Sequence, residues 1–364
     1  MRLCTLSSGD AVYRYYKSLV IQFNGPRKVL STSVHNGGYR EDLTAVFNHD
    51  CNPGAGMACM LRAPSYEGHM RLVAEELGLE PERSSGMATA ASMENAAIKI
   101  EQYEALAVTA LVTGGVEING GRVGDPACYY SPLAKVELER PGTINIMLAI
   151  DADLPLGILA RALVTCTEAK TAALQELMVG SNYSSGLATG SGTDSTIVIA
   201  NPMSPLLFET AGKHSKLGEL IGRAVTAAVK EALLLQSGLS PASQHSALRR
   251  LKRYGITAES LWQLYRENGG KAAKARFVDC LCDFEHADGP VVYSSLLLHL
   301  LDQRQWRLLS AAETHRHGGE LLAMAAAAYG VDAPPLSEGD EALLAAWSHL
   351  IVKRVDSKLT NEEN

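Results

Sequence analysis

The chain has 364 residues, enough for one large domain or two ordinary ones. Hydrophobic residues make up 46% and charged residues 20%, a globular composition that excludes wholesale disorder. Lys and Arg number 33 against 40 Asp and Glu, a formal charge of −7, so no nucleic-acid partner is expected.

No uncharged apolar stretch approaches the roughly 18 residues that a membrane span needs. Residues 1–10 lack the apolar core of a secretory signal. Seven scattered cysteines fit a reducing compartment better than a disulfide framework, so a cytoplasmic location is expected.

Taken in chain order, residues 19–23 and 28–32 read as short strands. Polar glycine loops follow at 33–38, 48–50 and 53–56. Met70, Val73, Ala74 and Leu77 recur with helical period and predict a helix over 66–78. Apolar runs predict strands at 105–113, 143–150 and 196–200, the last broken by Asn201-Pro202. Helices are predicted at 156–177, with Pro155 at its start, and at 217–235. Short strands alternating with helices indicate an α/β or α+β domain, a layered core with glycine-rich loops.

The hexapeptide 84–89 (SSGMAT) returns as 184–189 (SSGLAT), an offset of 100 residues. It suggests either a duplicated layout or a chance match in a chain rich in small residues. Composition shifts after residue 238. Residues 239–244 read as a linker, and 245–364 as a helical appendage on a domain spanning 1–238.

Several loops carry the residues that chemistry needs. Residues 188–196 hold five hydroxyls, one carboxylate and two glycines. Gly190 and Gly192 would let backbone N–H groups converge on an oxyanion beside Ser191. Thr189 or Thr193 could be a nucleophile, and Asp194 could orient a donor. A hydroxyl-capped turn satisfying its own backbone explains the same residues.

His35, with Asn36 and Gly37, sits at a strand end, where an imidazole could move a proton. Glu94, beside Asn95, is a candidate base or a helix-start charge. Gly114, Glu117 and Asn119 form a polar edge after a strand. Lys213 and His214 precede the last long helix of the domain and could reach a ligand, or Ser215 could simply cap that helix. No Walker loop, dinucleotide fingerprint, HExxH or paired CxxC is present. His315-Arg316-His317 has no evident third ligand. His35, His49, Glu94, Asp194 and His214 could meet only through folding. No resident cofactor is expected, and a divalent metal is left open.

These stretches together resemble the adenosylcobinamide amidohydrolases of the CbiZ type. The matching pieces are 33–38 (SVHNGG), 86–96 (GMATAASMENA), 113–119 (TGGVEIN), 142–146 (GTINI), 168–171 (EAKT), 188–194 (ATGSGTD) and 212–222 (GKHSKLGELIG). The likeness covers residues 28–235 and leaves the appendage unexplained.

It implies hydrolysis of the amide joining the corrin side chain to aminopropanol, giving adenosylcobyric acid and 1-aminopropan-2-ol for corrinoid salvage. The corrinoid would then be substrate rather than cofactor. Three mechanisms fit the candidate residues, one of them a metal-bound water. Water could be activated by Glu94 or His35, with Gly190 and Gly192 at the oxyanion and His214 protonating the amine. Alternatively, a hydroxyl of Thr189, Ser191 or Thr193 could attack, with His35 or His214 as base. A corrinoid-binding protein without turnover is the rival expectation. A homo-oligomer is compatible with either.

Overall fold

The computed structural model describes residues 1–54, 59–127, 142–339 and 341–363. The chain divides into two compact units, Met1–Ser240 and Pro241–Asn364.

The first unit opens with β1 (Arg2–Thr5), β2 (Ala11–Arg14), β3 (Ser18–Gln22), β4 (Lys28–Ser31), β5 (Gly38–Arg40) and β6 (Ala45–Asp50). Helix α1 (Tyr66–Glu76) then leads to β7 (Ser84–Thr89), β8 (Ala97–Tyr103), β9 (Leu106–Gly114), β10 (Gly120–Gly121) and β11 (Ile144–Ile150). Helix α2 (Leu156–Glu176), β12 (Gly190–Ser191), β13 (Ser195–Ala200) and α3 (Lys216–Ser237) complete it. Five strands form one sheet in the order β1-β2-β3-β6-β7, and six form another in the order β5-β4-β13-β11-β9-β8. A small ladder joins β10 to β12.

Side chains alternate across each strand, and the alternation builds four layers. In β9, Val108, Ala110 and Val112 pack under α2 and α3, and so do Ile146 and Leu148 of β11. Their sequence neighbours Leu111 and Met147 point the other way, onto Leu19, Ile21, Val46 and Met87 of the five-stranded sheet. That sheet's far face, through Val20 and Phe47, takes Met70, Val73 and Ala74 of α1. The order is therefore α2 and α3, six strands, five strands, α1.

The strands β3, β4, β9, β11 and β13 and the helices α1, α2 and α3 follow the expected elements; β5, β8 and the other four strands of the five-stranded sheet are findings of the structure. Each sheet contains one parallel strand–helix–strand unit, β6–α1–β7 and β11–α2–β13. Residues 45 and 144, where β6 and β11 begin, reproduce an offset of about 100 residues in layout. The hexapeptides themselves fold differently. Ser84–Thr89 is β7 in register with β6. Residues 184–189 form a turn closed by Ser181 N–H on Gly186 O at 2.8 Å, one element before β13.

The second unit consists of α4 (Ala247–Leu251), α5 (Ala258–Glu267), α6 (Lys274–His286), α7 (Asp288–Gln305), α8 (Ala311–Tyr329) and α9 (Ala342–Glu363). Its core gathers Phe277, Leu298, Leu322 and Trp347. A buried Arg253–Asp302 ion pair at 2.6 Å also receives the Tyr254 hydroxyl. His317 pairs with Glu320 on the surface of α8. No helix among the described residues is long and apolar enough to cross a membrane.

Candidate functional site

Most of the polar loops meet at one end of the sheet sandwich, where β4, β7 and β9 stop and β11 and β13 begin. The side chains facing between the sheets there are polar, and they bond to one another. Asn145 of β11 donates to Asn48 Oδ1 at 2.8 Å and to Ala88 O at 2.9 Å. Asn48 in turn donates to Thr113 Oγ1 at 2.8 Å. The Thr143 hydroxyl ties this layer to Thr193 O at 2.8 Å. Around the rim stand the start of the 32–38 loop, the 92–95 turn, the 114–119 loop and the 189–195 loop.

The candidate residues in the hydroxyl-rich loop have bonding partners. Asp194 accepts from Ile144 N at 2.8 Å, Ser191 N at 3.1 Å, Ser191 Oγ at 2.6 Å and the Lys170 ammonium. It holds the start of β11 to the loop before β13 and to α2. Thr193 Oγ1 donates to Gly142 O at 2.9 Å, and Thr189 Oγ1 accepts from Val123 N at 2.8 Å. Gly190 lies in the β12 ladder opposite Gly121. A side chain there would stand 2.3 Å from Asp194 Oδ2, so the glycine is required by the carboxylate's approach. Gly192 is exposed at the following turn.

The 32–38 loop leaves the rim after Ser33 and runs back along β7 to its start, where Asn36 takes a left-handed φ of 49° and donates to Pro81 O and Ser84 O, both at 2.7 Å. Gly37 has no room for a Cβ, which would come 1.8 Å from Ser33 O. His35 is buried edge-on against Phe47, with ring centroids 6.1 Å apart. Neither of its ring nitrogens has a hydrogen-bond partner among the described residues, and burial lowers its pKa.

Glu94 is exposed in the short turn Met93–Asn95, whose start is capped by Ser92 Oγ. Asn95 and Ser92 N both bond Gln236 Oε1 at 3.0 Å, at the end of α3. Glu117 accepts from Val116 N, and buried Asn119 joins Gly142 O to the Tyr183 hydroxyl. Gly114 closes β9 opposite Ile144.

Lys213 and His214 lie elsewhere. Lys213 pairs with Glu168 at 3.3 Å, and His214 is exposed in the turn before α3. Glu94 and His214 therefore stand at opposite ends of a 22-residue helix, about 33 Å long. The structure does not bring those two together.

Sequence reasoning missed a second cluster on the α1 side of β6. His49, Cys51 and His69 are all buried, and one ligand-capable atom from each lies within 4.8 Å of the others. Cys51 Sγ is 3.2 Å from His69 Nε2, and His49 Nδ1 is 2.8 Å from Ser18 Oγ. Burial and the neighbouring His69 push His49 down to about 4, and burial pushes the Cys51 thiol up to about 12. The two-residue spacing of His49 and Cys51 at a strand end was the available signal. Its partner His69 comes from a separate helix.

A model of the CbiZ family, adenosylcobinamide amidohydrolase, matches residues 3–241. The chain belongs to the CbiZ family. The CbiZ match ends within a residue of the first unit's boundary and leaves the helical unit outside. An uncharacterized protein of Methanocaldococcus jannaschii is 35% identical over 238 residues, which is 62% of this chain and 89% of that relative. A Pyrococcus horikoshii protein of known structure is 13% identical, with a TM-score of 0.30 over 65% of this chain and 80% of its own. That likeness is too distant to bear on the fold.

Proposed function

We propose that the first unit hydrolyses the amide linking the corrin side chain to aminopropanol in adenosylcobinamide, with the polar end of the sandwich as its site. The observation that carries this reading is the CbiZ match over the whole first unit. Its support in the fold is the convergence of five of the seven resembling stretches on that one end. A corrin is broad and rich in amide groups, and a rim of Asn, Ser, Thr and backbone groups suits it.

Amide hydrolysis needs an activated nucleophile and a proton for the departing amine. Among the acids on and beside the rim, Asp194 is held by four donors, Asp125 by Ser181 and Arg122 N, and Glu117 by Val116 N. Glu94 carries no side-chain bond of this kind among the described residues. Glu94 takes a proton from water as the oxygen attacks the carbonyl carbon, and returns it to nitrogen as the C–N bond breaks. Asn95, with one hydrogen on Gln236, gives its other to the carbonyl oxygen. A covalent route through Thr189, Ser191 or Thr193 has less support, since each hydroxyl already has a partner.

Glu94→Gln is expected to lower kcat at least about 100-fold while leaving adenosylcobinamide binding intact. Unchanged turnover in that variant would remove Glu94 from the mechanism. Binding of one equivalent of corrinoid by the wild-type protein with no aminopropanol released would replace the hydrolase reading with a binding one.

A further inference from the structure

We propose that His49, Cys51 and His69 form a binding site for a transition-metal ion of the zinc class, with Cys51 as a thiolate ligand. The proposal is independent of the amidohydrolase reading. It starts from composition: two imidazoles and one sulfur are the donor set that zinc-class ions favour over magnesium or calcium, which take oxygen.

The three donors sit on firm supports. His49 is in β6, held on both sides by β3 and β7. Cys51 follows directly, with its backbone N–H on Thr89 O at 2.8 Å. His69 lies in the first turn of α1, whose N-terminus is capped by Ser65. The contact of His49 Nδ1 with Ser18 Oγ leaves Nε2 for a ligand, and such an outer partner fixes the ring of a metal-binding histidine.

The present spacing is that of a metal-free pair. Cys51 Sγ and His69 Nε2 are 3.2 Å apart. Tetrahedral zinc with its usual bond lengths holds sulfur and nitrogen about 3.6 Å apart. Loading thus asks for an opening of a few tenths of an ångström. It also moves the His69 proton from Nε2 to Nδ1, which displaces the Arg62 N–H that now donates there at 3.1 Å. The Cys51 thiol gives up its proton, so one proton leaves for each metal bound. Three protein ligands leave a fourth position for water.

The test uses the full chain, stripped of metal and titrated with cobalt(II) as a spectroscopic stand-in for zinc. One equivalent should bind, with the visible bands of tetrahedral cobalt and a near-ultraviolet thiolate-to-cobalt band. Proton release should be one per metal, and zinc should displace the cobalt. Cys51→Ser, which keeps the side chain's size, should abolish the thiolate band, and His69→Gln should weaken binding at least tenfold. Cys282→Ser removes the sulfur of the exposed Cys282, Glu285 and His286 trio and should change nothing. No stoichiometric uptake by folded wild-type protein would overturn the proposal. So would a thiolate band that survives Cys51→Ser, or one lost only in Cys282→Ser.

Discussion

Asn48 and His49 are neighbours in β6, yet their side chains enter different worlds. Asn48 points between the sheets, into a layer where Asn145, Thr113, Thr143 and Ala88 O satisfy one another. His49 points toward α1, where the polar groups are fewer and less well matched. There, among the described residues, His35 has two unpartnered ring nitrogens, and Cys51 meets only weak partners in His69 and its own strand. A buried polar group with its partners in place is a fastening. A buried polar group without them carries a standing cost, or waits for something to bind. The contrast separates what holds this end of the molecule together from what it can offer to a ligand.

The largest expected effect is on the satisfied face. Asn145→Ala removes the donor to both Asn48 Oδ1 and Ala88 O and strands those acceptors in the interior. Each stranded group costs about 1–3 kcal/mol, so a loss of about 3 kcal/mol in urea unfolding is predicted. A loss below about 0.5 kcal/mol would mean that water reaches this layer and that the two faces do not differ.

The next effect concerns acid. His35 is held neutral by burial, its folded pKa lowered from the ordinary value of 6.5. Glu67 and Arg71 of α1, and Glu82, act on it from outside and do not reverse that shift. A histidine with a lowered folded pKa contributes stability fully above pH 6.5 and loses it as pH falls toward the folded value. The first unit should therefore weaken between pH 7.5 and pH 5, and His35→Phe should lessen that slope, the rest of which belongs to His49 and His69, lowered by burial in the same direction. An identical slope in the variant would place the acid sensitivity elsewhere.

The smallest effect is Cys51→Ser in metal-free protein. The hydroxyl can keep a contact with His69, and the change in stability should stay below about 1 kcal/mol. A loss above about 2 kcal/mol would show that the cluster is itself a fastening.

The same two faces explain what the sequence reveals. β9 and β11 are covered on both sides, so nearly every residue is apolar and the strands are plain to read. β7, Ser-Ser-Gly-Met-Ala-Thr, is just as deeply placed, but it is built of small residues and carries no hydrophobic run. β1 and β2 are four residues each, too short for a pattern.

The rim loops were legible because glycine and hydroxyls cluster in them. Their roles were not, because Asp194 looks the same in sequence whether it faces substrate or, as here, fastens Lys170 and two backbone amides. His214 shares a resembling stretch with no rim residue, and only the length of α3 reveals its distance from Glu94. The meeting of His49 with His69 depends on α1 folding back over β6, which no local spacing encodes.

The most direct test of the central claim is to incubate the full chain with adenosylcobinamide in ¹⁸O-labelled water and weigh both products. The account predicts free 1-aminopropan-2-ol and adenosylcobyric acid carrying one ¹⁸O in its new carboxylate, because water supplies that oxygen. Intact adenosylcobinamide after prolonged incubation with folded protein, or cleavage without the label, would contradict it.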